Sequence, residues 1–282
     1  MTTRNKGLIL SFIGVLIISP DSLLIRLVNI DDFSLIFYRS ALPIVTILIF
    51  LVYTYQKSFL KSFYLIGIPG IIYAILYAIT HICFVYSIQN TAVANTLVLI
   101  ASAPIFAALF SVFILKEIPS LFTWIVILIA MFAMIIIGVG SFTNTGLYGD
   151  LMALIVAIGM GFSMVLVRLF KNKDLVPACL LGCLISALYA LPFGINFDLN
   201  NDQFVLILIM CLIILPIPFM IMTISPKFAP AHEVALIFLL ESILGTTWVW
   251  FVIKEVPPLN TIIGGILLLG SVTIFIYQTT KK

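Results

Sequence analysis

The sequence predicts an all-α integral membrane protein with ten transmembrane helices in two inverted five-helix repeats and both termini in the cytoplasm. Composition, the spacing of apolar segments and an internal repeat support this fold class. Apolar residues make up 63% of the 282 residues, and charged residues make up 9%. A soluble domain carries about 25% charged residues, so this chain has too few to cover a water-facing surface. Soluble enzymes, nucleic-acid-binding proteins and disordered proteins are therefore disfavoured.

The apolar segments are long enough to cross a lipid bilayer. A helix needs about 20 apolar residues to cross the hydrocarbon core, so ten crossings use roughly 200 residues and leave only short loops. The segments are apolar on all faces, which favours helices over the strands of a lipid-exposed barrel. The predicted helices cover residues 7–28, 34–55, 63–88, 92–115, 120–141, 147–170, 176–195, 203–224, 231–252 and 259–278.

The distribution of basic residues predicts the orientation in the membrane. Cytoplasmic loops of membrane proteins carry an excess of Lys and Arg. With the N-terminus inside, all but three of the 14 Lys and Arg residues lie at cytoplasmic ends or loops. The three exceptions are Arg26, Arg39 and Lys254. Both termini are therefore expected in the cytoplasm.

An internal repeat divides the chain into halves of five helices each. The motif Lys116-Glu117-Ile118-Pro119 recurs as Lys254-Glu255-Val256-Pro257, 138 positions later. At an offset of 142, Gly7 aligns with Gly149 and Arg26 with Arg168. Because five is odd, the second copy must be inverted in the bilayer relative to the first. We expect the repeats at residues 1–143 and 144–282, a design typical of secondary transporters.

The repeat pattern resembles the EamA-type branch of the drug/metabolite transporter superfamily. The resemblance is carried by the ten helices, by the two Lys-Glu-x-Pro motifs and by two helix segments, Ser102-Ala103-Pro104-Ile105-Phe106-Ala107-Ala108-Leu109 and Leu240-Glu241-Ser242-Ile243-Leu244-Gly245. It implies a central cavity lined mainly by helices 1, 3, 4, 6, 8 and 9, with helices 5 and 10 peripheral. It also implies a multi-pass protein of the plasma membrane (the bacterial inner membrane).

Glu241 is the sharpest candidate site residue. It lies ten residues into its predicted helix, about 15 Å deep at 1.5 Å per residue, which is near the bilayer midplane. A charged side chain there costs about 2.5–3.5 kcal/mol, so it usually faces a cavity or a partner. Glu241 could bind a cationic group of the substrate, carry a coupling proton or form a structural pair.

Helices 3 and 4 carry further candidates. Tyr73, Tyr77 and His81 recur every four residues and form one polar-aromatic face. Such a face is suited to enclosing an ammonium group, and His81 is also a candidate for proton coupling. A packing role for the stripe is the alternative. Asn95 and Ser102 give helix 4 a similar polar seam.

Asp21 and Arg39 are candidates in the outer half of the membrane. Asp21 follows Pro20, which removes a hydrogen-bond donor and predicts a kink in helix 1. Arg26 or Arg39 could pair with Asp21, and Arg39 could instead attract a substrate carboxylate.

These features predict a secondary transporter of a small polar or zwitterionic, amino-acid-like metabolite that works by alternating access. The family resemblance favours export over import. A proton-coupled importer of an amine-bearing or quaternary-ammonium solute is the alternative. An integral membrane enzyme would need longer hydrophilic loops, and a channel would need oligomeric rings of residues. We expect a small-molecule substrate, a lipid bilayer as surroundings, and no nucleic acid, cofactor or metal. No ATP-binding motif is present, and the sequence leaves the oligomeric state open.

Overall fold

The structure is a computed structural model that describes residues 3–91, 93–138, 146–254 and 259–280. The predicted repeat boundary between residues 143 and 144 lies outside the described residues. The same holds for residues 255–257 of the second Lys-Glu-x-Pro motif and for the basic residues 281 and 282.

Within the described ranges the chain is helical and contains no strand. Eight helical segments are long and apolar enough to cross a membrane, and two apolar helices within Leu121–Gly138 and Leu259–Thr280 are shorter. The all-α fold class is therefore confirmed. Spans 1 to 10 are Thr3–Val28, Asp32–Leu65, Gly67–Asn90, Asn95–Leu115, Leu121–Gly138, Leu147–Leu169, Val176–Phe193, Asn201–Lys227, Ala231–Val252 and Leu259–Thr280.

Large apolar side chains cover the outside of the helical bundle. Tyr53, Phe113 and Leu121 are 82%, 78% and 77% exposed, respectively. A soluble monomer rarely exposes contiguous apolar patches of this kind, whereas a bilayer solvates them. Spans 5 and 10 pack against each other, with the rings of Phe122 and Phe275 stacked 6.4 Å apart.

Span 1 is interrupted at Ser19 and Pro20, between the helices Thr3–Ile18 and Asp21–Val28. Pro20 has no backbone N–H, so it leaves the carbonyl of Leu16 without its helical donor. The Ser19 hydroxyl donates to that carbonyl at 2.9 Å. The kink predicted at Pro20 is therefore present, and a neighbouring side chain satisfies the freed acceptor.

Spans 4 and 9 are interrupted at equivalent places. Span 4 consists of Val93–Ile100, Ala103–Phe110 and the π-helical turn Ser111–Leu115. Span 9 consists of Ala231–Phe238 and Leu240–Ile253. Leu239, at the second break, lies 138 positions after Ala101, at the first. The offset of the sequence motif therefore relates the two helix breaks as well.

The motif lysines adopt the same backbone conformation. Lys116 has φ 57° and ψ 23°, and Lys254 has φ 61° and ψ 21°, both in the left-handed region. Glu117, next to Lys116, lies beside Arg4 and Glu233 at one end of the bundle. Span 9 begins at that end and reaches Lys254 at the other. Lys116 and Lys254, the first residues of the two motif copies, therefore lie at opposite ends, as an inverted repeat requires.

Two equivalent glycines bring the halves into contact. A Cβ on Gly7 would lie 2.9 Å from the backbone nitrogen of Ala229. A Cβ on Gly149 would lie 2.9 Å from the backbone nitrogen of Thr91. Ala229 follows Thr91 by 138 positions, the offset of the motif. The halves therefore dock through reciprocal contacts that leave no room for a side chain.

Candidate functional site

A cavity lies between the two halves of the bundle. Its volume is about 90 Å³. The wall comes from spans 1, 3, 4, 6, 8 and 9, as the family resemblance implies, with one residue from span 2. The polar lining residues are Asp21, Arg39, Tyr77, Thr80, His81, Glu241 and Ser242. The apolar lining residues are Ile18, Phe84, Leu97, Ile100, Ala101, Val156, Met160, Phe219, Met222, Phe238 and Leu239.

Asp21 and Arg39 form a buried ion pair in the wall. Arg39 Nη1 donates to Asp21 Oδ1 at 2.6 Å, and Nη2 donates to Oδ2 at 3.0 Å. Each residue is 2% exposed. The guanidinium also lies 5.6 Å from the centre of the Phe84 ring and 3.4 Å from the sulfur of Met210. The pair contributes no net charge to the cavity, and it joins spans 1 and 2 of the first half.

His81 lines the same cavity as Arg39. His81 Nδ1 lies 3.2 Å from the hydroxyl of Ser40, which follows Arg39 in span 2. The ring of Tyr77, one helical turn away, is nearly parallel to the imidazole, with 6.2 Å between centroids and 10° between planes. Over the described part of the chain, His81 Nε2 is buried without a hydrogen-bond partner. The imidazole is therefore held on one edge and on one face, and its other edge is unsatisfied.

The position of Tyr77 depends on a glycine of span 7. A Cβ on Gly182 would lie 2.7 Å from Cδ1 of Tyr77. The thiol of Cys183 donates to the Tyr77 hydroxyl at 3.6 Å, and the ring meets Phe219 edge-on at 5.2 Å. Span 7 thus packs against Tyr77 on the side away from the cavity, although none of its described residues lines the cavity.

Glu241 lies in the cavity wall immediately after the break in span 9. The residue as a whole is half-buried, and its carboxylate interacts electrostatically with both Asp21 and Arg39. Among the residues that the structure describes, no hydrogen bond or ion pair engages the Glu241 carboxylate. Because Asp21 and Arg39 neutralise each other, Glu241 is the unmatched acid of the cavity.

Three of the predicted site residues lie away from this cavity. Tyr73 is buried in the apolar cluster between spans 3 and 7, with Cys179. Asn95 is fully buried and donates to the Thr91 hydroxyl at 3.3 Å. The Ser102 hydroxyl donates to the carbonyl of Leu99 at 2.6 Å, across the break in span 4. Glu241, Tyr77, His81, Asp21 and Arg39 are brought together.

No sequence pattern singles out Ser40, whose hydroxyl contacts His81 Nδ1. Ser40 is fully buried in the middle of span 2. Its position directly after Arg39 is a weak signal, because serine is common in membrane helices as a packing residue. The contact with His81 joins residues 41 positions apart.

A second cavity lies at the end of the bundle that holds Arg4, which we call the Arg4 end. Arg4 Nε donates to Glu233 Oε2 at 2.9 Å, and a second bond joins Arg4 Nη2 to Glu233 Oε1. Arg168 pairs with Glu117 at 3.1 Å. Each ion pair joins the first half to the second. Nearby, the Asp174 carboxylate accepts hydrogen bonds from Tyr55 and from Lys227.

Spans 1 and 9, which the Arg4–Glu233 pair joins at the Arg4 end, also touch at the opposite end of the bundle. There the indole nitrogen of Trp248 in span 9 donates to the hydroxyl of Ser19 in span 1 at 2.9 Å. Gly245 approaches closely as well, since a Cβ there would lie 2.8 Å from the Ser22 hydroxyl. Spans 1 and 9 are thus linked by ion pairing at the Arg4 end and by neutral contacts at the other.

Comparisons with known proteins show which family model the sequence matches and which solved structure shares its fold. The sequence model of the EamA-like transporter family matches residues 5–139 and again residues 147–277. The pseudopaline exporter CntI of Pseudomonas aeruginosa is 24% identical over 258 residues, which cover 88% of this chain and 87% of the exporter. A crystal structure of a 15% identical protein superposes with a TM-score of 0.80 and covers 99% of both chains.

Proposed function

Because the chain belongs to the EamA-like transporter family, and is a multi-pass membrane protein of that family, we propose that it is a secondary transporter of a small zwitterionic, amino-acid-like metabolite. The protein moves this substrate across the plasma membrane by alternating access, in the direction of export. The observation that carries the proposal is the Glu241 carboxylate in a cavity whose other acid, Asp21, is already paired with Arg39.

The unmatched acid accounts for the cationic part of the substrate. An uncompensated charge near the bilayer centre is costly, and a ligand ammonium group would compensate that of Glu241. The rings of Tyr77, Phe84 and Phe219 also line the cavity, and aromatic faces attract cations. Most of the remaining lining residues are apolar, so the site suits a substrate with an apolar side chain as well as charged groups.

The inverted halves account for alternating access. Two similar halves can exchange conformations so that the cavity opens first to one side and then to the other. The ion pairs Arg4–Glu233 and Glu117–Arg168 join the halves at the Arg4 end. We assign that end to the cytoplasm, because the loops there carry most of the basic residues. Opening towards the cytoplasm would then require both pairs to separate.

Export is supported by the relative that is a pseudopaline exporter. The second candidate function is proton-coupled import of an amine-bearing or quaternary-ammonium solute. It is favoured by Glu241, which could exchange a proton for the cationic group of the substrate, and by the aromatic rings in the wall. In that case Glu241, with His81 beside the cavity, would couple transport to protons.

The test measures binding and efflux with purified protein. A thermal-shift screen of amino acids, polyamines and quaternary amines identifies ligands, and labelled ligands are then followed out of preloaded proteoliposomes. We expect Glu241→Gln to abolish saturable binding while the unfolding temperature stays the same. The matched control is Asp198→Asn, which neutralises an exposed acid far from the cavity. Binding and efflux at the unmodified rate in Glu241→Gln would overturn the proposal. Uptake driven by an imposed proton gradient would favour the second candidate.

A further inference from the structure

We propose that Ser40 fixes the tautomer of His81, so that His81 Nε2–H and Arg39 Nε–H together form a binding site for the carboxylate group of the substrate. This inference rests on the proposed function, because the carboxylate belongs to the zwitterionic substrate proposed above. Ser40 is a positioning residue in it, because it acts only through His81.

The tautomer follows from the hydrogen bonds of Ser40. The Ser40 hydroxyl and His81 Nδ1 are 3.2 Å apart, and both residues are buried. In the described structure Nδ1 is the only acceptor that the Ser40 hydroxyl reaches. If Nδ1 instead carried a proton and donated it to Ser40, the serine proton would be left without an acceptor inside the membrane. A buried donor in that state costs about 1–3 kcal/mol, so the hydroxyl donates and Nδ1 accepts.

An imidazole that accepts at Nδ1 carries its proton on the other nitrogen. A neutral histidine has one N–H donor and one acceptor, and the partner of one nitrogen selects the state of the other. A doubly protonated ring would have no lone pair for the Ser40 hydroxyl. His81 therefore presents Nε2–H, the edge that has no partner among the residues described. The parallel ring of Tyr77 keeps the imidazole plane in place.

Arg39 supplies a second unsatisfied donor in the same wall. Its two terminal nitrogens are used by Asp21, whereas its Nε is buried with no partner in the described structure. Buried polar groups in folded proteins are nearly always hydrogen-bonded. Two such donors on residues that line one cavity indicate a missing acceptor, and a carboxylate offers two oxygens with about four acceptor sites.

The two donors orient the substrate within the cavity. Its carboxylate meets Arg39 and His81, while its ammonium group meets Glu241. The site therefore distinguishes an amino acid from the corresponding amine, which lacks the group that satisfies the two donors. This assignment gives His81 a binding role and leaves proton exchange, where it occurs, to Glu241.

The test reads the tautomer of His81 directly. The chain has two histidines, so His232→Asn leaves His81 as the single ¹⁵N-labelled histidine in nanodiscs. We expect an unprotonated Nδ1 and a protonated Nε2 in the ¹⁵N spectrum. Ser40→Ala should redistribute the proton between the two nitrogens, and Ser40→Thr, which keeps the hydroxyl, should retain the original spectrum. A proton on Nδ1 in the unmodified ring, or identical spectra for Ser40→Ala and the parent, would overturn the inference.

Two small probes test the carboxylate site without knowledge of the substrate. Propionate carries a carboxylate and no amine, and n-propylamine carries an amine and no carboxylate. We expect propionate to shift the Nε2 resonance saturably, with roughly tenfold weaker binding in Ser40→Ala and full binding in Ser40→Thr. Propylamine should leave the resonance unchanged in all three proteins. A propionate response that is equal in Ser40→Ala and the parent contradicts the inference. Because neither readout depends on transport, failure of the proposed function is recognised separately, by the Glu241→Gln experiment.

Discussion

Arg39 of span 2 holds Asp21 of span 1 through both terminal nitrogens of its guanidinium, at 2.6 and 3.0 Å, and both side chains are buried. The pair fastens span 2 to the helical segment that follows the kink at Pro20. It also leaves Glu241 as the carboxylate without a counter-charge in the described cavity. We therefore expect stability and ligand selectivity to depend on the same two residues.

Separating this pair should destabilise the protein more than removing it. Loss of one partner leaves an uncompensated buried charge, which costs about 3–5 kcal/mol, whereas loss of both is far less costly. We expect Asp21→Asn and Arg39→Gln each to lower the unfolding temperature clearly, and the double variant to recover part of the loss. Tryptophan fluorescence in detergent measures this. Lys57→Gln, which removes an exposed charge, is the control. Strictly additive losses would refute the coupling.

Gly182→Ala should displace Tyr77 in the cavity wall and so weaken ligand binding. The new Cβ would lie 2.7 Å from Cδ1 of Tyr77 and 2.9 Å from its Cβ, so the ring must move away from its position beside His81. Overpacking of this kind costs about 1–3 kcal/mol. We expect weaker ligand binding, measured by titration of the purified protein. Gly265→Ala, where nothing lies within 4 Å, should bind normally. Equal affinity in both variants would contradict the support role of Gly182.

Gly7→Ala and Gly149→Ala should destabilise the protein to similar extents. Each new Cβ would lie 2.9 Å from a backbone nitrogen of the other half, and backbone cannot rotate away as a side chain can. Each substitution is expected to lower the free energy of unfolding by about 1–3 kcal/mol. Gly270→Ala, which meets nothing within 4 Å, is the matched control and should be neutral or stabilising. A loss confined to one of the two glycines would argue against equivalent docking of the halves.

Removing the ion pairs at the Arg4 end should open the cavity to that side. A partly exposed pair contributes up to about 1 kcal/mol, so Glu117→Gln with Glu233→Gln, which removes two pairs, should favour the opened state by up to about thirtyfold. The measurement is labelling of Ala101→Cys by a membrane-impermeant thiol reagent, applied to each face of membrane vesicles. Ala101 lines the cavity, and the native cysteines are buried.

Two controls accompany the labelling experiment. The protein without Ala101→Cys gives the background from native cysteines, and Asp202→Asn removes an exposed acid outside both cavities. Labelling rates that are unchanged on both faces in the Glu117→Gln, Glu233→Gln variant would exclude a closing role for these pairs.

Lys116→Gly should stabilise the end of span 4. Lys116 has a φ of 57°, and a left-handed conformation costs a non-glycine residue about 1–2 kcal/mol. Glycine adopts it without this cost, so the unfolding temperature should rise. Lys57→Gly, at a position without positive φ, should lower it instead. A decrease for Lys116→Gly would show that the lysine side chain contributes more than the strain.

Much of the fold was predictable because its signals are local in sequence. A long apolar run predicts a span wherever it occurs, and Pro20 predicts an interruption because it lacks a donor in any helix. The repeat was also visible, since Lys116 and Lys254 begin copies of one motif. The depth of Glu241 within its helix pointed to the cavity wall without any knowledge of neighbouring helices.

The candidate site was predictable only in part. Asp21, Arg39, Tyr77, His81 and Glu241 line one cavity. Tyr73 shares a helix face with Tyr77 and His81, yet the cavity ends before reaching it, because span 7 packs against that part of span 3. Helix periodicity predicts which residues share a face, but it does not say which neighbour covers each part of that face.

Composition alone indicates that this chain crosses a membrane repeatedly, and the recurring motif predicts that its second half is an inverted copy of its first, since both inferences follow from the order of residues along the chain. The bond from Ser40 to His81, the paired state of Asp21 and the link from Arg4 to Glu233 arise only on folding. These contacts join residues 41, 18 and 229 positions apart. They exist because helix packing brings particular turns together, and no pattern within a single helix encodes that choice of partners.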